Sequence, residues 1–490
     1  MNLQKLFQLE INDKNEFLKL LFFLAFFGGL IRLLFAVFLP LDGYDETYHL
    51  LISQKPLFES LKATLSVYPP LWTLVLYILE KISFNYHFLR LASVGIGIVS
   101  IIVMGLLGKI LVNPKAGILL ALIFALSPTQ IYYSSYLRLY SVSILISLLI
   151  FWLFIKYLKT KSLRNKTLLF SFLTLGNYTY YLFPAIGVSF ATYLLFFRKT
   201  FIGKFKEFSL LFALSLLASL PLYIAFLSVE PAPKEALPNI SLLKIISIPI
   251  SYTFPLNLTQ LTDLFPKLEL NLTNLLLLIL SLFATMLVIL SIKVKNNKKN
   301  IFLILTMLEP VLIVIIFSIL VKSVFGLRSL LIFSIPFYLL LGRFLIISKK
   351  ISFTYIILSL ITIFSTLIFI IKKPIPGLDL FIEHNVKPEE MIIHTEVTTY
   401  TYFTYFLPQV KQLAAIDSLY TNNINKKLLG YQPIEARSLD DKNFWVLEVP
   451  SEIHKNLVDQ FKSTISKTHN LVLVRNFDEV IFSRYESKTR

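Results

Sequence analysis

Residues 20–39 read LLFFLAFFGGLIRLLFAVFL, and residues 41–49, just beyond Pro40, read LDGYDETYH. The first stretch is apolar at every position except Arg32, and its length suffices to cross a hydrocarbon core of about 30 Å as helix. Lys5, Lys14 and Lys19 precede it as they would a signal peptide, but the run is too long for one and no small-residue cleavage site follows. The expectation is a first membrane helix that empties into a loop bearing three carboxylates, Asp42, Asp45 and Glu46.

Further runs repeat the pattern, at 66–82, 88–111, 116–132, 139–158, 208–229, 272–292, 301–321, 326–347 and 352–371. The stretch 167–197 is too long for one span and too short for two, so a pair of short helices broken near Pro184 is expected. With 56% hydrophobic and 16% charged residues over 490 positions and a mean hydropathy of +0.71, the chain has more apolar surface than a soluble core can hide. The fold class expected is a multi-pass α-helical membrane protein of about 11–13 transmembrane helices.

The net charge of +18 resembles a nucleic-acid binder's until it is located. From Lys372 to Arg490 fifteen basic residues balance fifteen acidic ones, so the whole excess lies in the membrane part. Basic residues there belong at cytoplasmic loop ends and against the headgroups of membrane lipids, and no nucleic-acid partner is expected. Acid-free basic loops at 156–166, 198–206, 293–299 and 343–350 mark the cytoplasmic face. The mixed-sign loops at 230–244 and 263–269 then face outward, and the last span delivers the C-terminal segment to the outside of the cell (cytoplasmic) membrane. One conflict remains: three apolar runs separate the 42–62 loop from Arg138, whereas two outer segments require an even number of crossings.

The chain divides into a membrane part, 1–373, whose first outer loop is 40–66, and an extracytoplasmic α/β domain, 374–490. In the latter, Met391 to His394, Phe444 to Val449, Leu471 to Arg475 and Val480 to Ser483 read as strands. Ser451 to Lys467 reads as an amphipathic helix N-capped by Ser451, with Ile453, Leu457, Val458, Phe461 and Ile465 on one face. No cysteine occurs, which excludes disulfides and thiolate chemistry.

Three constellations carry chemistry. The acid cluster is either a solvated turn around Gly43 or a general base, since a carboxylate beside an acceptor hydroxyl can take its proton. Tyr68-Pro69-Pro70-Leu71-Trp72 forms a rigid entry to the next run, with Trp72 suited to an interface. Arg138 stands among Tyr132, Tyr133, Tyr136 and Tyr140, after Ser127-Pro128, and Arg328 follows Gly326 at the mouth of a late run. A planar guanidinium fits phosphate bidentately, so two such groups suit a lipid phosphate; otherwise they reach to headgroups as anchors.

In order and spacing these motifs resemble the GT-C glycosyltransferases, the superfamily of the bacterial protein O-mannosyltransferases and the aminoarabinose transferases. The matching set is Asp45-Glu46, Pro69-Pro70-Leu71, Arg138 with Tyr140, Thr179-Tyr180-Tyr181, and Arg328 followed by Pro336. The chain departs from such proteins at Tyr68, where His is common, at Tyr136, where Glu is, and at Tyr180, where His is. The resemblance implies a polyprenyl-phosphate sugar donor and a lipid, glycan or protein acceptor. It implies Asp45, with Asp42 or Glu46, as the base, Arg138, Arg328 and Tyr140 at the donor phosphate, and Tyr68, Trp72, Tyr136 and Tyr180 around the substrate. With phenols at three potential ligand positions, no cofactor and no divalent metal are expected. Two other activities suit the same features: a flippase or transporter of lipid-linked sugars, and a polysaccharide ligase or polymerase.

Overall fold

The computed structural model describes residues 14–39, 41, 45–65, 68–160, 162–228, 245, 247–253, 272–292, 297–321, 324, 326–372, 378–387, 389–415, 429–431, 434, 439, 442–449, 455–477 and 480–488. Asp42, Ser451, the loops at 230–244 and 263–269 and the 373/374 boundary lie outside the described residues.

Five helices are long and apolar enough to cross a membrane: Lys14–Phe38, Tyr86–Leu111, Tyr140–Lys159, Lys298–Leu320 and Lys349–Ile368. Two pairs bent at a short break, Pro114–Ala125 with Pro128–Ser134 (63°) and Lys204–Ala218 with Leu220–Ser228 (53°), raise the number of spans among the described residues to seven where each pair is one span, and shorter helices pack among them. Phe22, Phe26 and Phe364 are more than half exposed on its outside, as expected where lipid is the solvent. The chain is a multi-pass helical membrane protein.

Sequence punctuation explains the breaks. Ser127 accepts from the Gln130 amide with Pro128 at the first helical position, so a new helix begins there at a new angle and the 116–132 run is not one straight helix. Pro221 marks the corresponding break in the 208–229 run. The 167–197 stretch forms Leu163–Thr179 and Pro184–Phe196, broken before Pro184. Close helix approach depends on small residues: a Cβ on Gly117 would lie 2.5 Å from the Gly105 carbonyl oxygen.

The crossing conflict resolves at Leu71–Glu80. That helix has 10 residues, about 15 Å of rise and half the hydrocarbon thickness, so it is not a crossing. With the bent pair after Tyr86–Leu111 counted as one broken span, two crossings return the chain to Asp45, in keeping with the ion pair between Arg138 and Asp45. The 45–65 segment is itself helical, as Asp45–Ser53 and Leu57–Leu65.

The C-terminal sheet holds β1 (Met391–His394), β2 (Lys411–Ala414), β3 (Phe444–Glu448), β4 (His469–Phe477) and β5 (Val480–Ser487) in the order β2-β1-β3-β5-β4. β1 runs parallel to β2 and β3, whereas β5 is antiparallel to β3 and β4. Strand alternation divides its core. Ile393, Phe444 and Val446 meet Val458, Phe461 and Ile465 of the Lys455–Ile465 helix. On the opposite face Ile392, Trp445 and Leu447 meet Ile382 and Phe403. This sheet domain sits directly on the Asp45–Ser53 helix: Tyr48, Leu51 and Ile52 pack with Val397, Tyr400 and Tyr431, and Thr47 Oγ1 donates to Thr401 Oγ1 at 3.0 Å.

Candidate active site

Asp45 opens its helix, where a negative charge complements the unpaired amides of the first turn. Arg138 lies between the Pro128–Ser134 and Tyr140–Lys159 helices, and Arg328 in the 3-10 helix Leu327–Phe333 after Gly326. Three distant parts of the chain thus converge, and both guanidiniums pair with the same oxygen, Asp45 Oδ2. Arg138 also donates to the Tyr68 hydroxyl, and its guanidinium lies 4.8 Å from the Tyr68 ring centre and 5.5 Å from that of Tyr140. Arg138 is 1% exposed, Asp45 14% and Arg328 35%, so the cluster has a closed floor and an open rim. Burial opposes ionisation of Asp45, but Arg138 and Arg328 outweigh it and hold the carboxyl below the usual range.

Glu46 turns away from this cluster. Its carboxylate receives Arg90 Nε at 3.1 Å and Nη2 at 2.5 Å, and the Leu137 amide at 2.6 Å. Arg90 in turn donates to the Ala36 and Leu39 carbonyls. Both charged side chains are wholly buried. Glu46 is therefore a strut that ties the first helix end to the backbone one residue ahead of Arg138, and it does not share a face with Asp45.

The remaining sequence candidates separate. Tyr180 is buried beside Ser329, the residue after Arg328. Tyr136 stacks on Tyr132 at 5.6 Å. Trp72, expected at an interface, is instead 1% exposed in the main helical core, because its helix is packed inside the bundle instead of crossing it. Among the described residues, no three His, Asp or Glu side chains form a metal-holding group.

Sequence reasoning passed over three polar residues. His49 lies one helical turn after Asp45, is 1% exposed, and has neither ring nitrogen hydrogen-bonded. Its ring is 5.5 Å from that of Tyr68. Burial first, and Arg138 second, push its pKa down to about 3, so it is neutral. The i,i+4 spacing from Asp45 was the available signal. Arg90 stood as a charge near the start of the 88–111 apolar run, which signals a buried partner. Arg32 is wholly buried and donates to the Phe124 and Ala125 carbonyls at 3.1 Å, closing the helix end at the bend that aims the chain toward Arg138.

No protein-family model matches the sequence, and no curated protein matches it. Solved structures do. The chain is similar to ArnT from Cupriavidus metallidurans bound to undecaprenyl phosphate, with 11% identity and a TM-score of 0.52 over 96% of this chain and 98% of that one. Apo ArnT gives 13% and 0.53, covering 93% and 96%. The archaeal oligosaccharyltransferase AglB from Archaeoglobus fulgidus, in complex with an inhibitory peptide and a dolichol-phosphate, gives 12% and 0.52, covering 97% of this chain and 75% of that one. At such identities the likeness is one of fold, and the fold is that of the GT-C glycosyltransferases with a small C-terminal sheet domain.

Proposed function

We propose that this GT-C-fold chain is a membrane glycosyltransferase that moves a sugar from a polyprenyl-phosphate carrier to an acceptor hydroxyl at the outer face of the cell membrane. The observation that carries the reading is the convergence of Arg138 and Arg328 with Asp45, in a fold of which two solved examples hold undecaprenyl phosphate or a dolichol-phosphate.

In this reading the donor phosphate lies on the two guanidiniums, whose forks match its oxygens. The acceptor oxygen attacks the anomeric carbon, and the bond from that carbon to the phosphate oxygen breaks. The electron pair leaves on the phosphate, where Arg138 and Arg328 meet the developing charge. Asp45 takes the acceptor proton. One displacement inverts the anomeric centre. Tyr68 and Tyr140 hold Arg138 in place, and Tyr180 with Ser329 shapes the rim. The sheet domain lies on the outer side, where its contact with the Asp45 helix places it beside an incoming acceptor.

Purified protein in detergent should transfer label from a polyprenyl-phosphate sugar to an acceptor, and Asp45→Asn should lower that rate by about a hundred to ten thousandfold. Failure of the wild type to turn over any such donor, while moving it across vesicle membranes, would identify a flippase instead.

A further inference from the structure

The pairing of Asp45 sets a problem for the mechanism just given. A base must be free to accept a proton, yet here the carboxylate oxygen Oδ2 is shared by two guanidiniums, one of them almost wholly buried. The arginines have the matching problem. A buried guanidinium without a counter-charge is strongly destabilising, so whenever the donor is absent something negative must stand between them.

We propose that Asp45 is a resident counter-ion that occupies the donor-phosphate position in the empty enzyme, and that the phosphate of the donor, by taking over Arg138 and Arg328, releases Asp45 to serve as base. The proposal rests on the function assigned above and adds its regulation. Its geometry is that of a competition. Both forks meet on one carboxylate oxygen, whereas a phosphate offers each fork an oxygen of its own. Arg328, 35% exposed, is the open side by which a phosphate reaches the pair, and Arg138, 1% exposed, is the floor. Asp45 heads its helix and is displaced by a side-chain rotation, while the Glu46 strut on the next residue keeps that helix anchored. Freed from the two cations in a buried setting, the carboxylate becomes more basic. Deprotonation of the acceptor is thereby confined to the state in which the leaving group is already bound.

The competition makes a prediction of opposite sign to that for an ordinary binding residue. Undecaprenyl phosphate binding is measured on protein in nanodiscs for the wild type, Asp45→Asn and Asp45→Ala, with Arg138→Lys as the reference for a lost phosphate contact. Removing an intramolecular competitor should tighten binding by roughly tenfold in both Asp45 variants, while Arg138→Lys weakens it. Inorganic phosphate, tested as the bare anion, should show the same direction at weaker affinity, and phosphatidylglycerol, a phosphodiester like the donor's but without the polyprenyl chain, should bind too weakly to show the effect. Unchanged or weaker binding in folded Asp45 variants overturns the proposal and leaves the transferase reading intact. Tightening seen for phosphatidylglycerol alone also overturns it. Should the variants not fold, the wild type decides: adding undecaprenyl phosphate must shift a carboxylate stretch in the infrared difference spectrum, and a silent spectrum at saturation overturns the proposal. A wild type that binds no polyprenyl phosphate removes the transferase reading together with it.

Discussion

Lysine at position 138 would keep the charge and lose the planar fork that meets Asp45 and Tyr68 at once. Arg138→Lys should therefore lower turnover at least about a hundredfold, consistent with loss of a stabilising donor at a developing anion. Arg328→Lys, at the exposed rim, should cost less. Near-normal turnover in both would mark the two arginines as headgroup anchors. Glu46 makes the contrasting case, since its carboxylate closes a wholly buried pair with Arg90. Glu46→Gln leaves a buried charge uncompensated and should destabilise the fold by about 3 kcal/mol, seen as a lower Tm in detergent; an unchanged Tm would remove its role as a strut. The resemblance put Asp45, Arg138 and Arg328 at one site, but the ion pairs that join the carboxylate to both guanidiniums were not foreseen. Nor was it legible that adjacent Asp45 and Glu46 part company, because nothing in two consecutive letters says which way each side chain leaves a helix.

Among the elements, long apolar runs with Pro punctuation were readable, and so were β1, β3 and the Lys455–Ile465 helix. The Val397–Phe406 helix was not. Its sequence, VTTYTYFTYF, is built from residues that favour strands, and packing against the Asp45 helix and the sheet overrides that preference. β2 was hidden for a related reason, four residues with little alternation that are strand only because β1 pairs with them. β1 also carries a pH dependence. His394 is wholly buried, with Nε2 2.7 Å from Gln412 Oε1, and burial pushes its pKa down to about 4 although Gln412 raises it. The unfolded chain binds this proton more readily, so stability is full above about pH 6.5, falls as pH drops toward 4, and levels off below. The loss should amount to about 3 kcal/mol. His394→Gln should flatten that segment of the Tm-against-pH curve, and a curve as steep as the wild type's would assign the dependence to another group.

At the scale of the whole molecule, the acid-free basic loops predict a tail outside the cell membrane, so a reporter that works only in the cytoplasm should be silent when fused after Arg490; a bright signal would reverse the orientation. The sequence led us to expect two separable parts, and here the packing changes the argument. Tyr48, Leu51 and Ile52 of the Asp45 helix are buried against Val397, Tyr400, Ala414, Leu429 and Tyr431, with Thr47 bonded to Thr401. By contrast, Arg138 and Arg328 are held by elements of the membrane bundle. Removing residues 374–490 therefore strips the cover from the helix that carries Asp45 and leaves the two arginines in place. Each exposed aromatic or aliphatic side chain forfeits about 1.5–3 kcal/mol of burial, enough to loosen a nine-residue helix but not a bundle of long spans. The truncated protein should keep binding undecaprenyl phosphate at least as well as the full chain, because its arginines remain and their resident competitor is less firmly held, while turnover falls by at least about a hundredfold for want of a positioned base. Thr401→Val, which removes the hydrogen bond to Thr47, should move turnover in the same direction by a smaller step. Loss of lipid-phosphate binding in a truncated protein that still elutes as one species would instead make the sheet domain part of the donor site, and undiminished turnover would make it dispensable to the chemistry.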